Sequence, residues 1–187
     1  MAYLLMVYCH QALEEIDENG VLFAGCFLAV VLGALVCGAV YEGTQPLFFI
    51  ERSKNSNIVQ YDVRVTEDGN LAGEAPVHVY WVLEDGDQRE LSGLEKRCAY
   101  GIESQKRLGQ NRCKIVLAAF KERPITVKKT ADGYKAFVQI NGTESILERV
   151  YVKSGEGLVG LPIVHHVDIF GRNGHPTHLV TERIFPN

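Results

Sequence analysis

His165-His166-Val167-Asp168 and His175-Pro176-Thr177-His178 bring four imidazoles and a carboxylate into one short stretch. These are the side chains that hold a divalent metal or act as a general base near neutral pH. A metal site needs three or four of them converging within about 2.0–2.2 Å of the ion. If Asn173-Gly174 forms a two-residue turn, Arg172 faces His175, Ile169 faces His178 and His165 faces Glu182. Directly opposed residues share a face. His165, Val167, Ile169, His178, Val180 and Ile184 then line one side. His166, Asp168, Phe170, His175, Thr177 and Thr181 line the other. The imidazoles are separated rather than gathered. His166, Asp168 and His175 remain as weak metal candidates, with His78 needed from elsewhere. The His166–Asp168 pair is the one a hydrolase would use. Surface or hydrogen-bonded edge histidines are the default reading.

Nucleophile and phosphate signatures are missing: there is no GxSxG, HExxH, P-loop or GxGxxG. Gly155-Glu156-Gly157 and Gly160 read as a flexible loop. Cys98, beside Lys96 and Arg97, reads either as a reactive thiol or, by preference, as a buried structural one. No catalytic residue and no cofactor site is assigned, so the expectation is a non-enzyme. Cys98 and Cys113 are the only two of five cysteines downstream of the apolar stretch described below. They form one disulfide in an oxidising compartment, or stay as two buried free thiols.

These residues sit on strands. Val59, Tyr61, Val63 and Val65 alternate with Gln60, Asp62 and Arg64, and Val77, Val79, Trp81 and Leu83 repeat the pattern. Further strands are expected at Leu47–Arg52, Cys113–Phe120, Ile125–Lys129, Tyr134–Ile140, Ser145–Lys153, Ile163–Phe170 and His178–Phe185. Glu67-Asp68-Gly69-Asn70, Ala131-Asp132-Gly133, Asn141-Gly142 and Asn173-Gly174 supply hairpin turns. Asn141-Gly142-Thr143 is also a glycosylation sequon, here on a tight turn. The stretch Leu91–Arg107 breaks the alternation and holds a short helix capped by Ser92. The fold class is mainly β: about nine strands in an antiparallel sandwich or barrel, behind one N-terminal transmembrane helix. Tyr61, Tyr80, Trp81, Tyr100 and Phe137 are candidates to line an apolar pocket.

That helix is Val21–Val40, twenty residues without a charge. At about 1.5 Å per residue it spans roughly 30 Å, a bilayer's hydrocarbon core. A cleaved signal is disfavoured because Met1–Gly20 has no Lys or Arg and carries Glu14, Glu15, Asp17 and Glu18. A retained single-pass anchor is expected. Residues 1–20 form a tail with a short interfacial helix, 21–40 the anchor and 41–187 the extramembrane domain. Gly25, Ala29, Gly33 and Cys37 recur every four residues, a small-residue stripe suited to packing on a partner helix. Arg52 and Lys54 follow the span and no base precedes it, which taken alone places the domain in the cytoplasm. Net charge is −4 and the pI about 5.9, which argues against nucleic acid as a partner. Lys106-Arg107 and Lys128-Lys129 read as parts of a solvated mixed-charge surface.

Arg52-Ser53-Lys54-Asn55-Ser56-Asn57, the Tyr80-Trp81 pair and Ala99-Tyr100-Gly101, with the flanking stretches from Leu47 to Pro186, resemble a bacterial family catalogued as domain of unknown function 4833. The resemblance implies an envelope protein behind an N-terminal signal or anchor, and so a periplasmic domain. It implies no catalytic residues. Two functions follow as expectations. The first is a non-enzymatic accessory or structural subunit of a larger membrane complex, with membrane lipids and a transmembrane protein as partners. The alternative is an envelope binding domain for a lipid, pigment or peptide. A hydrolase using His166 and Asp168 is the weaker third.

Overall fold

The structure, a computed structural model, describes residues 43–156, 162–174 and 178–186. The expected tail at 1–20, the expected span at 21–40 with Gly25, Ala29, Gly33 and Cys37, and His175 lie outside these residues. Among the described residues no helix is long and apolar enough to cross a membrane.

The described chain is mainly β. In order it forms β1 (Gly43–Arg52), β2 (Asn55–Val65), β3 (Val77–Val82), β4 (Gln88–Glu90), α1 (Gly93–Cys98), β5 (Ile102–Gly109), β6 (Arg112–Leu117), β7 (Phe120–Thr130), β8 (Gly133–Ile140), β9 (Thr143–Glu156), β10 (Pro162–Asn173) and β11 (His178–Ile184). All nine expected strands are present. They belong to one continuous sheet in the order β4-β3-β2-β1-β9-β8-β7-β6-β5, with β10 and β11 added on the far edge of β9. The sheet curls into a half-barrel, which is neither the sandwich nor the closed barrel expected.

The curl begins at β9. One edge of this strand carries β10 along most of its length. The other edge is shared: β8 pairs with Thr143–Ile146 and β1 with Arg149–Val152. The β1–β9 pair is parallel, whereas every other ladder is antiparallel. Where β1 and β8 diverge, the Gln45 carboxamide accepts a hydrogen bond from the Tyr134 N–H at 3.1 Å and stands in for a ladder bond. Inward residues of both leaves, among them Val59, Tyr61, Val63, Cys113, Val127 and Ala136, are fully buried in one core. The apolar alternation read from sequence therefore does bury its apolar side.

Strands β4 and β5 were not expected. Every residue of β4 is exposed, so burial leaves no periodic signal there. In β5 the inward positions are polar because they bond to main chain. The Gln105 side chain donates to Val77 O at 2.7 Å and accepts from Val77 N at 3.0 Å. Arg107 donates to Leu71 O and Gly73 O at 3.1 and 2.6 Å. These side chains join one end of the sheet to the start of β3, satisfying groups that a closed barrel would pair strand to strand.

The β10–β11 register also differs from expectation. Asn173 opposes His178, Ile169 opposes Glu182 and Val167 opposes Ile184, so the connection is four residues long, not two. The slip is an even number, which leaves the paired side chains of Val167–Asn173 and His178–Ile184 on the faces expected for them, while the bulge between Val164 and His166 takes His165 out of that alternation.

Candidate binding site

Arg52 closes β1, Trp81 sits in β3 and Tyr100 follows α1, yet the three side chains meet. The Arg52 guanidinium lies over the Trp81 ring at 4.5 Å from its centroid. Tyr100 meets the same ring edge-on at 5.2 Å and 77°. Trp81 is 1% exposed, and its Nε1 donates to Glu95 Oε1 at 3.2 Å. Ring quadrupoles favour an edge-on aromatic and a cation over the face, so these contacts are mutually compatible.

Local chemistry fixes each partner. Ser53 anchors the β1–β2 turn to β9: its N–H donates to Val152 O at 3.1 Å, its hydroxyl donates to Ser154 O at 3.0 Å, and it accepts from Ser154 N at 3.1 Å. Helix α1 has six residues, too few to persist alone, so its ends must hold it. At its start Ser92 and Glu95 form a capping box, with Ser92 N donating to Glu95 Oε2 at 2.7 Å and Glu95 N to Ser92 Oγ at 3.3 Å. The other oxygen of the same carboxylate takes the Trp81 indole. Burial opposes ionisation of Glu95, but the bonds from Ser92 and Trp81 hold it below the usual carboxylate range. At the helix end the N–H groups of Ala99, Tyr100 and Gly101 all point to Glu95 O. Ala99 O and Gly101 O then accept from Ala119 N and Ala118 N at 3.2 and 2.8 Å, tying this corner to the β6–β7 turn. Tyr61, stacked on Phe48 at 4.4 Å, donates its hydroxyl to Tyr100 O.

Beyond Tyr100 opens an apolar cavity of about 370 Å³. Tyr100, Phe120, Ile125 and Val138 form one wall. Val150, Val152, Val167, Ile169 and Ile184 form the other. The second wall follows from register. Val150 opposes Ile169, Val152 opposes Val167 and Val167 opposes Ile184, so alternate residues of three adjacent strands stack on one face. None of the described lining residues carries a charge. Such a site offers burial and shape, not acid–base chemistry.

The family model described as domain of unknown function (DUF4833) matches residues 48–183. The chain belongs to this family. No curated protein and no solved structure matches it. The three most specific segments of the resemblance each send a side chain to the Trp81 junction of the DUF4833 domain: Arg52 from the first, Trp81 from the second and Tyr100 from the third. Sequence reasoning missed the convergence because the three are contributed by separate elements. The readable signal was the Ser92 cap, which correctly placed the helix that delivers Tyr100.

Of the aromatics expected to line a pocket, the DUF4833 domain puts only Tyr100 on the cavity wall. Tyr61 and Trp81 lie behind it in the core. Burial first, then the neighbouring Tyr100, pushes the Tyr61 phenol well above its ordinary range. Tyr80 faces away and donates to Asp62 Oδ2 at 2.7 Å. Burial and that bond push it up to about 12. Phe137 lies on the outer face under the Lys128 ammonium at 3.8 Å, where it lines a separate groove with Lys135, Glu144 and Glu148.

The described histidines are dispersed. His166 Nε2 is 3.7 Å from Asp168 Oδ2, but Arg183 holds both carboxylate oxygens at 2.7 and 2.8 Å. That guanidinium keeps Asp168 below the usual carboxylate range and binds one donor to each of its oxygens. His165 sits in the bulge between Val164 and His166, and its ring fills the space that a side chain at Gly155 would take. His78 bonds Glu90 at 2.7 Å on the other leaf. Among the described residues there is no group of three or more His, Cys, Asp and Glu that could hold a metal. Asn141 adopts φ 50° and Gly142 φ 76°, the positive angles of the expected tight turn. The Asn141 amide of the sequon donates to Thr181 O at 3.0 Å.

Of the two readings left open for Cys98 and Cys113, the disulfide is not formed: both thiols are free. Strand alternation turns Cys113 into the core beside Ile115 and Leu117, while Cys98 ends α1 exposed. The alternative of two buried thiols therefore holds only for Cys113. Burial pushes the Cys113 thiol up to about 11. Iodoacetamide at pH 8 is expected to modify Cys98 of the folded protein at least tenfold faster than Cys113, because the thiolate is the nucleophile. Site-resolved mass spectrometry reads this ratio, which should collapse toward unity in denaturant.

Proposed function

We propose that the DUF4833 domain is a membrane-tethered, non-enzymatic binding module whose cavity takes a slender aliphatic chain, such as a lipid acyl chain. The observation that carries this reading is the charge-free cavity of about 370 Å³. Its volume lies in the lower part of the range of about 300–1,000 Å³ usual for ligand pockets. A peptide would bring amide groups that need partners, and an aliphatic wall offers them none. An acyl chain needs only burial, which contributes roughly 25 cal/mol per Å². The tether is the uncharged stretch Val21–Val40.

The Ala119→Trp variant tests this. Ala119 is exposed at the cavity rim, so the indole would block entry and leave the core untouched. In native mass spectrometry of the membrane-extracted chain, a lipid-mass adduct is expected on the wild type, with occupancy reduced about tenfold in the variant. Equal occupancy in both, or no adduct on the wild type, overturns the reading.

A second reading, docking on a partner in a membrane assembly, draws support from exposed apolar side chains of the β10–β11 ribbon. Ile163 and Leu179 are 51% and 69% exposed, and Phe185, just beyond β11, is 66% exposed. Isolated exposed apolar residues are common, so this feature weighs less than the cavity.

A further inference from the structure

Five cations of the DUF4833 domain line up on the outward face of β5–β8. Arg112, Lys128 and Lys135 oppose one another across three adjacent strands. In the next row Lys106 opposes Lys114. The outward direction is fixed by their neighbours: Cys113, Val127 and Ala136, one residue along each strand, are 0% exposed. Like charges directly opposed across a ladder, with Cβ atoms about 4.5–5.5 Å apart, are destabilising. This chain has 23 acids to 19 bases, so composition does not force bases together. Yet only Lys128 has an acidic partner, Glu144 at 2.9 Å. Lys106, Arg112, Lys114 and Lys135 make no ion pair among the described residues. Of the acids sharing a groove with Lys135, Glu144 is held by Lys128, Glu148 by Arg172 at 2.6 Å, and Asp132 lies in the β7–β8 turn.

The position of the upper row matters as much as its charge. Arg112 opens β6, and Lys128 and Lys135 flank the β7–β8 turn. At this same end Gln45, near the start of β1, bonds the backbone of Tyr134. Only Tyr41 and Glu42 separate Gly43 from the apolar stretch in sequence. The tether proposed above would, by this short separation in sequence, bring that end of the domain to the headgroups. We infer that the outward face of β5–β8 docks on a layer of anionic phospholipid headgroups. The inference rests on the tether proposed above. Anionic leaflets attract basic residues near the surface, over about one Debye length. The same five cations, frustrated against one another in water, are satisfied by a surface of negative headgroups. Nucleic acid fits less well, because the chain as a whole is acidic.

The test uses the full chain in nanodiscs of phosphatidylcholine alone or mixed with phosphatidylglycerol. Lysines are lightly acetylated and read by site-resolved mass spectrometry. Lys106, Lys114 and Lys135 should label about fivefold more slowly in anionic discs, measured against exposed Lys54 and Lys153, and recover in high salt. The Lys106→Gln/Lys114→Gln double variant changes two exposed sites, removes a repulsion and should fold. It is expected to lose the protection of Lys135. Unchanged labelling between discs overturns the inference, as does protection by an oligonucleotide but not by anionic discs. Co-elution with neutral discs reports the tether separately. A chain that leaves neutral discs yet binds anionic ones in a salt-sensitive way retires the tether and keeps the docking face.

Discussion

Replacing Trp81 by Ala is expected to lower unfolding stability by about 3–5 kcal/mol, the usual range for deleting a buried Trp or Phe. That is a fifth or more of the roughly 5–15 kcal/mol that holds a domain together. The indole is 1% exposed and fills the junction of three segments. Its loss leaves a cavity, deprives Glu95 of a donor and removes the ring beneath Arg52. The Arg52 Nε is already buried without a hydrogen-bond partner, so nothing nearby compensates. Trp81→Phe should cost less, because it keeps an edge for Tyr100 while losing the indole N–H. The chain has a single Trp, so both variants are followed by circular dichroism in urea, with the midpoint shifting and the slope constant. A loss below about 1 kcal/mol for Trp81→Ala would mean the corner collapses onto the void and Trp81 is not its keystone.

Gly101→Ala should be nearly as damaging, about 3 kcal/mol, for a steric reason. A methyl at this position would overlap the backbone carbonyl of Lys96. That atom belongs to α1 and cannot swing aside as a side chain would. Relief requires moving the helix end, and with it Tyr100 and the Gly101 carbonyl that receives Ala118 N–H. Hydrogen exchange locates the damage: the amides of Ala118 and Ala119 should exchange at least tenfold faster, while Val127 in the core stays protected. The cavity wall moves with Tyr100, so the lipid adduct should weaken as well. A variant that folds with normal protection at Ala118 would show that the corner yields.

How much of this was readable in the sequence depends on what each residue does. Val59, Tyr61 and Val63 face a core, so period-two alternation revealed β2 without ambiguity. Asn141-Gly142 needs positive φ at both positions, which side-chain sterics announce in advance. Gln105 and Arg107 face inward but serve as surrogate ladder partners, so β5 reads as a polar loop. The β10–β11 faces were legible because they depend on parity, while the register depends on loop length, which Asn173-Gly174 understated. The cavity was expected to be aromatic. Its walls are mostly Val and Ile, drawn from strands whose meeting is set by the fork at β9, and no local pattern encodes that meeting. The basic face was hidden likewise. Lys106, Lys114, Arg112, Lys128 and Lys135 are dispersed in sequence and become neighbours only through the ladders.

The parallel pairing of β1 with β9 has a consequence for the order in which this fold can be made. Ser53 meets Ser154 across 101 residues, so β1 has one partner, β2, when it is synthesised and must wait for the other. At the usual pace of about 5–20 residues per second, that wait is on the order of ten seconds during translation. Throughout it the inward side of β1, with Phe48 and Ile50, lacks the β9 neighbours that later cover it. Long-range pairing of this kind slows folding, because loop closure precedes any reward. The β1–β2–β3 meander is therefore the part of a nascent chain most exposed to wrong pairing and most in need of a chaperone's protection.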